Sequence, residues 1–365
     1  MRRQRPDILL LVLDTLRADR LSCYGHPTET TPHLDAFAET GVRFERAISP
    51  AQWTIPAHGS LFSGEYPSTH GTTQITHKHA AGHPTLAERL SRAGYHTVGF
   101  CNNPLLGVVE NDLDRGFHEF YNYGGVLPAR PTEVQGRIRG LGALLRPLRK
   151  LVGRANEPIQ ALFTQQEWLL NLAMQPRLVA LWERHINFKG NTERSLRDLL
   201  GYLRYHHPRE DRPPLFIYLN LMETHLPYEP PKAFVRTHAP HVLEDREARD
   251  FMASYNRRSY DWITPIVEPF SALEHETLNT MYNAEVAYED HLLNPLLRYL
   301  NTPERREQSM VILTSDHGEG LDHHGYVGHS LVTYEDLIRV PLILRYPPDY
   351  TAGTAVDAPI STRRL

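Results

Sequence analysis

Cysteine is scarce in this sequence, with Cys23 and Cys101 as the two examples in 365 residues. Two cysteines are too few for the disulfide framework that stabilises small secreted domains. The chain therefore tolerates a reducing compartment, and its stability must come from a packed core.

Long apolar runs are also missing. No stretch approaches the ~20 apolar residues of a membrane-spanning helix. Arg2, Arg3 and Arg5 precede an apolar run, but that run is short and ends in Asp14 instead of a small-residue cleavage site, which argues against a signal peptide. We therefore expect a cytoplasmic protein.

Neither sign of charge dominates the composition. The formal net charge is -4, which gives no reason to expect a nucleic-acid partner. The chain is 41% hydrophobic, and at this length it can bury a large α/β core.

Two apolar runs end in candidate metal ligands. Segment 7–13 carries a continuous apolar run without alternation, the pattern of a strand covered on both faces, and it is followed by Asp14. Segment 310–315 is followed in the same way by Asp316 and His317. Because ligands of open α/β sheets bind beyond the carboxyl ends of the strands, these groups can meet and suit a divalent cation.

A series of motifs follows in order along the chain, in segments 14–25, 31–35, 41–44, 49–64, 64–71, 93–97, 222–228, 282–290 and 316–329. Together these motifs resemble the sulfatase family of the alkaline phosphatase superfamily. They span roughly two thirds of the chain, and the agreement of many separated motifs is far more specific than one match.

The resemblance implies a metal centre and a nucleophile. Asp14, Asp316 and His317 match metal ligands, and Thr54 matches the nucleophile that also touches the metal. The implied cofactor is a divalent ion, Mn²⁺, Zn²⁺, Mg²⁺ or Ca²⁺, among which the ligand types do not choose. Thr15 stands where sulfatases have another aspartate, which makes the site less acidic and weighs against Ca²⁺.

The resemblance also implies substrate contacts. His225 and His329 match positions that bind substrate and take part in catalysis, and His329 stands where many members carry a lysine. Histidine can still donate a hydrogen bond or a proton there. We place Asn102 at the position of a second lysine that helps to hold the sulfate in sulfatases.

The nucleophile position departs from the sulfatase pattern. Sulfatases carry a cysteine or serine in a Cys/Ser-x-Pro-x-Arg segment, which is oxidised to formylglycine. Here Thr54 occupies the cysteine position and His58 the arginine position. Oxidation of threonine gives at best a ketone, because of its β-methyl group, so the formylglycine mechanism is excluded in this register.

These departures favour phosphorus over sulfur as the atom attacked. Threonine nucleophiles occur in superfamily relatives such as nucleotide pyrophosphatase/phosphodiesterases and phosphoethanolamine transferases. The sequence thus predicts a metal-dependent hydrolase that cleaves phosphate or related phosphodiester, phosphonate or sulfate esters through Thr54 and a covalent intermediate. The expected partner is a small anionic ester or an anionic polymer.

Three alternatives remain open at this point. They are a sulfuric ester hydrolase acting without formylglycine, a phosphotransferase to an acceptor alcohol, and an inactive binding protein of the same fold. Single residues also have plainer interpretations: Asp14 as the N-cap of a helix from Thr15 to Leu21, Thr54 as an ordinary first-turn helix residue, and segment 316–318 as a turn.

The implied fold is an α/β alkaline-phosphatase-like sandwich, with a mixed, largely parallel central sheet, helices on both faces and a helical insertion. We predict helices at 32–40, 56–62, 86–93 and 274–300 and strands at 97–101 and 215–221. The domain prediction is a first half of the catalytic core at 1–126, a basic helical insertion at 127–213 and a second half at 214–365. We expect the family's C-terminal subdomain to be absent or truncated.

The predicted insertion is rich in arginine and leucine. The favoured interpretation of its arginines is a solvated helix face. The alternative is a lid or docking surface for an anionic substrate, a polymer or a membrane surface.

Overall fold

The computed structural model describes residues 5–107, 109–124, 189–209, 211–257, 269–346 and 349–365. Most of the predicted insertion, residues 127–188, lies outside the described residues. The domain boundaries and the favoured solvated helix face therefore remain predictions, and the membrane surface remains the alternative.

An eight-stranded sheet forms the centre of the fold. Its strands are β1 Asp7–Leu13, β2 Val42–Phe44, β4 His96–Cys101, β5 Glu119–Asn122, β6 Leu215–Leu221, β7 Ser309–Thr314, β11 Leu342–Arg345 and β12 Thr354–Val356. They lie in the order β12-β2-β11-β7-β1-β6-β4-β5, and β1 is parallel to both β6 and β7. β4 is parallel to β6 and β5, whereas β11 is antiparallel to β7 and β2.

Two smaller sheets lie beside it. One has the order β10-β3-β13, formed by Arg339–Val340, Ala47–Ile48 and Ile360–Ser361. The other pairs β8, Gly320–Leu321, with β9, Val327–Gly328, in an antiparallel arrangement. This second sheet shapes the loop that carries His329.

Helices surround the central sheet. The described α-helices are α1 Pro32–Ala38, α2 Thr54–Ser63, α3 Pro67–His70, α4 Leu86–Arg92, α5 Thr192–His206, α6 Lys232–His238, α7 His241–Glu244, α8 Arg246–Arg257, α9 Ala272–Leu300, α10 Pro303–Gln308 and α11 Glu335–Ile338. Short 3₁₀ helices occur at Ala18–Arg20, Ser22–Tyr24 and Thr362–Arg364. No helix in the described part of the chain is long and apolar enough to cross a membrane.

Strand β1 is buried on both faces, as its unbroken apolar run predicts. Leu9 and Leu11 pack into one core cluster with side chains of α1, α5 and α9. Leu10 and Val12 pack into a second cluster with side chains of α2 and α4. Each fully buried leucine contributes about 1.5–3 kcal/mol relative to exposure. The predicted sandwich, with a mixed sheet and helices on both faces, is confirmed.

The predicted elements are found close to their expected bounds, and the differences have local causes. The long helix α9 begins at Ala272 instead of 274 because Ser271 and Glu274 form a reciprocal capping box. The suggested helix from Thr15 to Leu21 is wrong. Thr15 has a φ of 63°, outside the right-handed helical region, so the chain turns there before a single 3₁₀ turn.

Candidate active site

The register of the central sheet places the two aspartates side by side. Val12 of β1 pairs with Thr314 of β7 in a parallel ladder. Asp14 and Asp316 each follow their residue of this pair by two positions, so both lie beyond the carboxyl ends of their strands. Residues more than 300 positions apart in sequence thereby become neighbours.

Asp14, Asp316 and His317 form a compact group that can hold a metal ion. Their ligand atoms lie within 4.8 Å of one another, and all three residues are buried. His317 Nε2 is 3.6 Å from Asp14 Oδ1 and 3.4 Å from Asp316 Oδ2. Both of these carboxylate oxygens lack a hydrogen-bond partner within the described part of the chain. Buried oxygens without partners are costly, and a cation between them would satisfy them.

Backbone groups orient the three candidate ligands. The backbone N–H of His317 donates to Asp316 Oδ1 (3.0 Å), which leaves Oδ2 facing the group. The carbonyl oxygen of Gly318 lies 2.9 Å from His317 Nδ1, so Nδ1 carries the proton and Nε2 offers its lone pair. This tautomer suits metal binding through Nε2.

The turn after β1 is held in an unusual conformation. Thr15 is β-branched and adopts a left-handed φ of 63°, which is a genuine outlier for such a residue. The hydroxyl of Tyr282 donates to the carbonyl oxygen of Thr15 (2.7 Å), and the hydroxyl of Thr224 donates to that of Asp14 (2.6 Å). These bonds fix the backbone that presents Asp14.

Burial perturbs the ionisation of the group. Desolvation raises the pKa of Asp14 to about 6, against the opposing hydrogen bond from Asn103. Desolvation, followed by the charge of Asp14, also raises the pKa of Asp316 well above its ordinary value. Burial and the neighbouring His329 lower the pKa of His317. A divalent cation would favour the charged carboxylates and the neutral imidazole together.

Thr54 is the first residue of α2 and faces the same group. Its Oγ1 is 3.4 Å from His317 Nε2 and 3.5 Å from the side-chain amide nitrogen of Asn103. Thr54 is 2% exposed. The N-terminus of a helix attracts negative charge, so this position suits both an alkoxide and an anionic ester.

His58 lies one turn along α2 and contacts both the nucleophile and a candidate ligand. Its Nδ1 is 2.9 Å from the carbonyl oxygen of Thr54 and 3.4 Å from Asp316 Oδ2. Its Nε2 is 2.8 Å from the hydroxyl of Tyr218 on β6. Burial lowers the pKa of His58 to about 4, so the imidazole is neutral at physiological pH.

His225 and His329 stand next to the group. The ring centroids of His317 and His329 are 4.5 Å apart, and those of His225 and His329 are 5.0 Å apart. His329 Nδ1 is 2.9 Å from Oε1 of the buried Glu319. The structure thus brings together both histidines with Asp14, Asp316 and His317.

The two histidines of this pair differ in charge. Burial acts to lower the pKa of His329, but the charge and hydrogen bond of Glu319 outweigh it and raise the pKa above its ordinary value. Burial, followed by the charge of His329, lowers the pKa of His225 to about 3. Opposed shifts of this kind separate a proton donor from a proton acceptor.

Asn103, the residue after Asn102, lies beside the candidate ligands. The amide nitrogen of Asn103 donates to Asp14 Oδ2 (2.7 Å) and also approaches Thr54 Oγ1. The amide nitrogen of Asn102 instead donates to Thr192 Oγ1 at 2.8 Å. The structure therefore brings Asn103 into the site, and a substrate contact of Asn102 remains a prediction.

Sequence reasoning missed four members of this site. Asn103, Tyr218 and Glu319 received no role, and His58 was noted as a departure from the family pattern. Glu319 had a visible signal, because it follows the segment 316–318 directly. Tyr218 had none, since it lies in the middle of an apolar strand.

Comparison with known proteins decides the family. The family model described as Sulfatase matches residues 6–364. The chain belongs to the sulfatase family. The predicted family is thereby confirmed. Sulfatases are ester hydrolases, so the predicted enzyme class is confirmed as well.

Curated relatives of this sulfatase-family chain are distant but extend over nearly all of it. It is 24% identical over 361 residues to the uncharacterized sulfatase YidJ of Escherichia coli K12, covering 98% of this chain and 66% of YidJ. It is 23% identical over 357 residues to an arylsulfatase of Clostridium perfringens, covering 96% of this chain and 70% of the relative. The chain thus spans about two thirds of the length of these relatives.

Solved structures share the fold. The phosphonate monoester hydrolase of Agrobacterium radiobacter superposes with a TM-score of 0.67 at 19% identity, covering 98% of this chain and 72% of that protein. The phosphonate monoester hydrolase SpPMH of Silicibacter pomeroyi gives a TM-score of 0.65 at 19% identity, covering 98% and 71%. At this identity the similarity establishes the fold alone.

Proposed function

We propose that this sulfatase-family protein is a metal-dependent hydrolase of phosphate or related phosphorus esters, with Thr54 as its nucleophile. One observation carries the proposal. Thr54 Oγ1 is buried at the start of α2, 3.4 Å from His317 Nε2, beside two carboxylates that each have an unpartnered oxygen within the described residues. A buried threonine hydroxyl aimed at a candidate metal site is the arrangement that an activated alkoxide requires.

The donor set fits a divalent cation. The cation would be held by Oδ1 of Asp14, Oδ2 of Asp316 and Nε2 of His317, the atoms that converge in the group. When bound, such a cation lowers the pKa of a neighbouring hydroxyl and stabilises negative charge on the ester. The two carboxylates and the imidazole match Mn²⁺, Zn²⁺ and Mg²⁺, so the metal itself is a matter for experiment.

In the first step, Thr54 Oγ1 forms a bond to phosphorus and releases its proton to solvent. The bond from phosphorus to the leaving oxygen breaks, and that oxygen takes a proton from His329. His329 suits this role because Glu319 accepts from Nδ1 and favours the charged imidazole, whose Nε2 proton is the one to be given. The product is a phosphothreonine at residue 54 and a free alcohol.

In the second step, the oxygen of a water molecule forms a bond to phosphorus and the bond from phosphorus to Thr54 Oγ1 breaks. Oγ1 takes up a proton from solvent, which restores the threonine hydroxyl, and the phosphate product leaves. His329 is now neutral and takes a proton of the attacking water. His225 is held by the carbonyl oxygen of Leu226, 2.9 Å from Nδ1, so its Nε2 is the acceptor nitrogen of the neutral ring. His225 is therefore suited to accept a hydrogen bond from the attacking water.

Threonine favours phosphorus as the atom attacked, because this side chain cannot become formylglycine. A sulfate ester is the second candidate substrate, and membership of the sulfatase family favours it. Direct attack of Thr54 on sulfur would then replace the hydrated aldehyde. The substrate on either proposal is an anionic ester.

Rate assays with metal-reconstituted protein test the proposal. Wild type, Thr54→Ala and Thr54→Ser are compared on an aryl phosphate monoester, a phosphate diester, a phosphonate ester and an aryl sulfate. We expect turnover of a phosphorus ester that Thr54→Ala abolishes and Thr54→Ser retains in part, because serine keeps the hydroxyl. Acid quenching should trap a phosphate group on the peptide that contains residue 54.

Other outcomes separate the alternatives. Turnover of the sulfate ester alone supports the sulfuric ester hydrolase. Transfer of phosphate to an added alcohol in preference to water supports a phosphotransferase. Full activity of Thr54→Ala on every ester that the wild type cleaves contradicts the nucleophile, and no turnover on any ester favours a binding protein.

A further inference from the structure

The imidazole of His58 must be a hydrogen-bond donor at Nδ1. Its neighbour there is the carbonyl oxygen of Thr54 at 2.9 Å, and a carbonyl oxygen can only accept. Asp316 Oδ2 lies 3.4 Å from the same nitrogen but has no hydrogen-bond partner within the described residues. His58 therefore binds the backbone of the proposed nucleophile and contacts a candidate metal ligand.

The other ring nitrogen is set by Tyr218. With the proton on Nδ1, neutral His58 presents a lone pair at Nε2, and the Tyr218 hydroxyl donates to it at 2.8 Å. Tyr218 is fully buried in the middle of β6, and its ring packs edge-on against His58 and Phe62. The hydroxyl has little freedom to point elsewhere, so it holds the second ring nitrogen of the tautomer that the Thr54 carbonyl oxygen sets.

We propose that Tyr218 and His58 form a positioning pair that holds the first turn of α2, and with it Thr54, beside Asp316. This proposal rests on the proposed function, because it concerns the alignment of Thr54 with the metal ligands. His58 acts through Thr54 and Asp316 and does not itself touch the ester. Tyr218 acts through His58.

The pair leaves one oxygen of Asp316 available to a cation. The family resemblance places an arginine at position 58, and a guanidinium carries several hydrogen-bond donors. The N–H of His58 instead binds the carbonyl oxygen of Thr54, while Asp316 Oδ1 accepts from a backbone N–H. Asp316 Oδ2, 3.4 Å from His58 Nδ1, has no hydrogen-bond partner within the described residues.

Two substitutions at position 58 separate positioning from simple packing. The amide nitrogen of asparagine falls near the place of Nδ1, whereas that of glutamine falls near the place of Nε2. His58→Asn therefore keeps a donor for Thr54, and His58→Gln loses it. Tyr218→Phe removes the hydroxyl and keeps the ring that packs on Phe62.

The first measurement is the tautomer of His58 in the metal-free protein, read from ¹⁵N chemical shifts of labelled histidine. We expect the Nδ1–H form in wild type and in Tyr218→Phe, because the Thr54 carbonyl oxygen still accepts from Nδ1, and a displaced Nε2 resonance in the variant, because Nε2 loses the hydrogen bond from the hydroxyl. The second is Mn²⁺ affinity by calorimetry. We expect Tyr218→Phe and His58→Gln to weaken binding about 10- to 100-fold, the usual effect of removing a group that orients a ligand, and His58→Asn to stay within about threefold of wild type.

Kinetics on the ester that the wild type cleaves best provide a third readout. We expect the positioning variants to lower kcat with little change in KM, because alignment of the nucleophile is lost while substrate binding is kept. An Nε2–H or a charged His58 in wild type would overturn the proposal. So would equal Mn²⁺ affinities of His58→Asn and His58→Gln, with both variants folded by circular dichroism.

A failure of the proposed positioning pair can be distinguished from a failure of the proposed function. If wild type hydrolyses none of the esters, the proposed function is lost, yet the tautomer and the Mn²⁺ affinities still decide whether the pair holds α2 beside Asp316. If the variants at position 58 do not fold, Tyr218→Phe decides the question alone. An unchanged Nε2 chemical shift and an unchanged Mn²⁺ affinity in Tyr218→Phe would then overturn the proposal.

Discussion

Glu319 and His329 face each other across the end of a two-stranded sheet. Gly320 pairs with Gly328, so the residues just outside this pair meet, and Glu319 Oε1 lies 2.9 Å from His329 Nδ1. Glycine is required here, since a Cβ on Gly320 would come within 2.7 Å of the Gly328 carbonyl oxygen. A tight backbone approach thus sets the spacing between a buried carboxylate and the proposed proton donor.

Glu319→Gln should weaken proton donation without removing the hydrogen-bonding side chain. We expect the rate to fall about 10- to 100-fold for alkyl esters, whose leaving oxygens need a proton, within the range that general acid catalysis supplies. The rate on an aryl ester with an acidic leaving group should fall much less, so this substrate serves as the internal control. An equal loss on both substrates would contradict the role of His329.

The same substitution has a pH signature in the metal-free protein. Because the folded-state pKa of His329 is raised, its pairing with Glu319 stabilises the fold below the ordinary value of 6.5. That stability is lost as the pH rises through the raised pKa. Histidine NMR should show His329 titrating above 6.5 in wild type and lower in Glu319→Gln; identical titration in both proteins would contradict the ion pair.

Metal binding should weaken in acid because protons compete for the candidate ligands. The pKa of Asp14 is raised to about 6 in the absence of metal, and that of Asp316 is raised as well. We expect the Mn²⁺ affinity to rise between pH 5 and pH 7 with release of protons, as calorimetry in two buffers of different ionisation enthalpy will show. A pH-independent affinity without proton release would contradict this group as the metal site.

Asp316→Asn should stabilise the metal-free protein while abolishing metal binding. A carboxylate whose folded pKa is raised costs stability as the pH rises from its ordinary value through the folded one, so removal of the charge relieves that cost at pH 8. We expect a higher Tm than wild type without metal. Added Mn²⁺ at about 100 times Kd should stabilise wild type by about 2.7 kcal/mol and leave the variant unchanged.

A lower Tm of metal-free Asp316→Asn, or a shift of its Tm by Mn²⁺ equal to that of wild type, would count against this account. Asp322→Asn is a suitable control. Asp322 lies in the connection between β8 and β9, outside the group formed by Asp14, Asp316 and His317. The Asp322→Asn variant should keep the increase in Tm that Mn²⁺ produces in wild type.

Asn103→Ala and Asn102→Ala form a matched pair of neighbours. Asn103 bonds to Asp14 and approaches Thr54, so we expect its loss to reduce kcat about 10- to 100-fold. Asn102 bonds to Thr192 away from these atoms, so its loss should lower the free energy of unfolding by about 1 kcal/mol and spare kcat. A larger loss of kcat in Asn102→Ala would restore Asn102 as the substrate contact.

Asn102 and Asn103 show where sequence reasoning ends. Successive side chains in extended backbone point to opposite sides, so only one of two neighbouring residues faces Asp14 and Thr54. The motif at this position fixed the neighbourhood but not the side. The hydrogen-bond partners of Asn103 and Asn102 are Asp14 and Thr192, which belong to distant parts of the chain. The local sequence therefore does not show which asparagine faces Asp14.

Other parts of the fold were predictable because a single local signal determined them. The unbroken apolar run of β1 required cover on both faces, and the two clusters around Leu9 and Leu10 provide it. The left-handed turn at Thr15 and the hydrogen bond between Tyr218 and His58 had no such signal. Each depends on a contact between segments that only the assembled sheet brings together.

The order of strands in the sheet also sets the order in which the site can appear during synthesis. β7 lies between β1 and β11, and the last of the three candidate ligands leaves the ribosome some 300 residues after Asp14. A nascent chain therefore has no complete metal site until β7 has paired with a strand made much earlier. Metal affinity therefore becomes a late reporter of folding, and a metal added during synthesis would find all three candidate ligands only in a chain in which β7 has paired with β1.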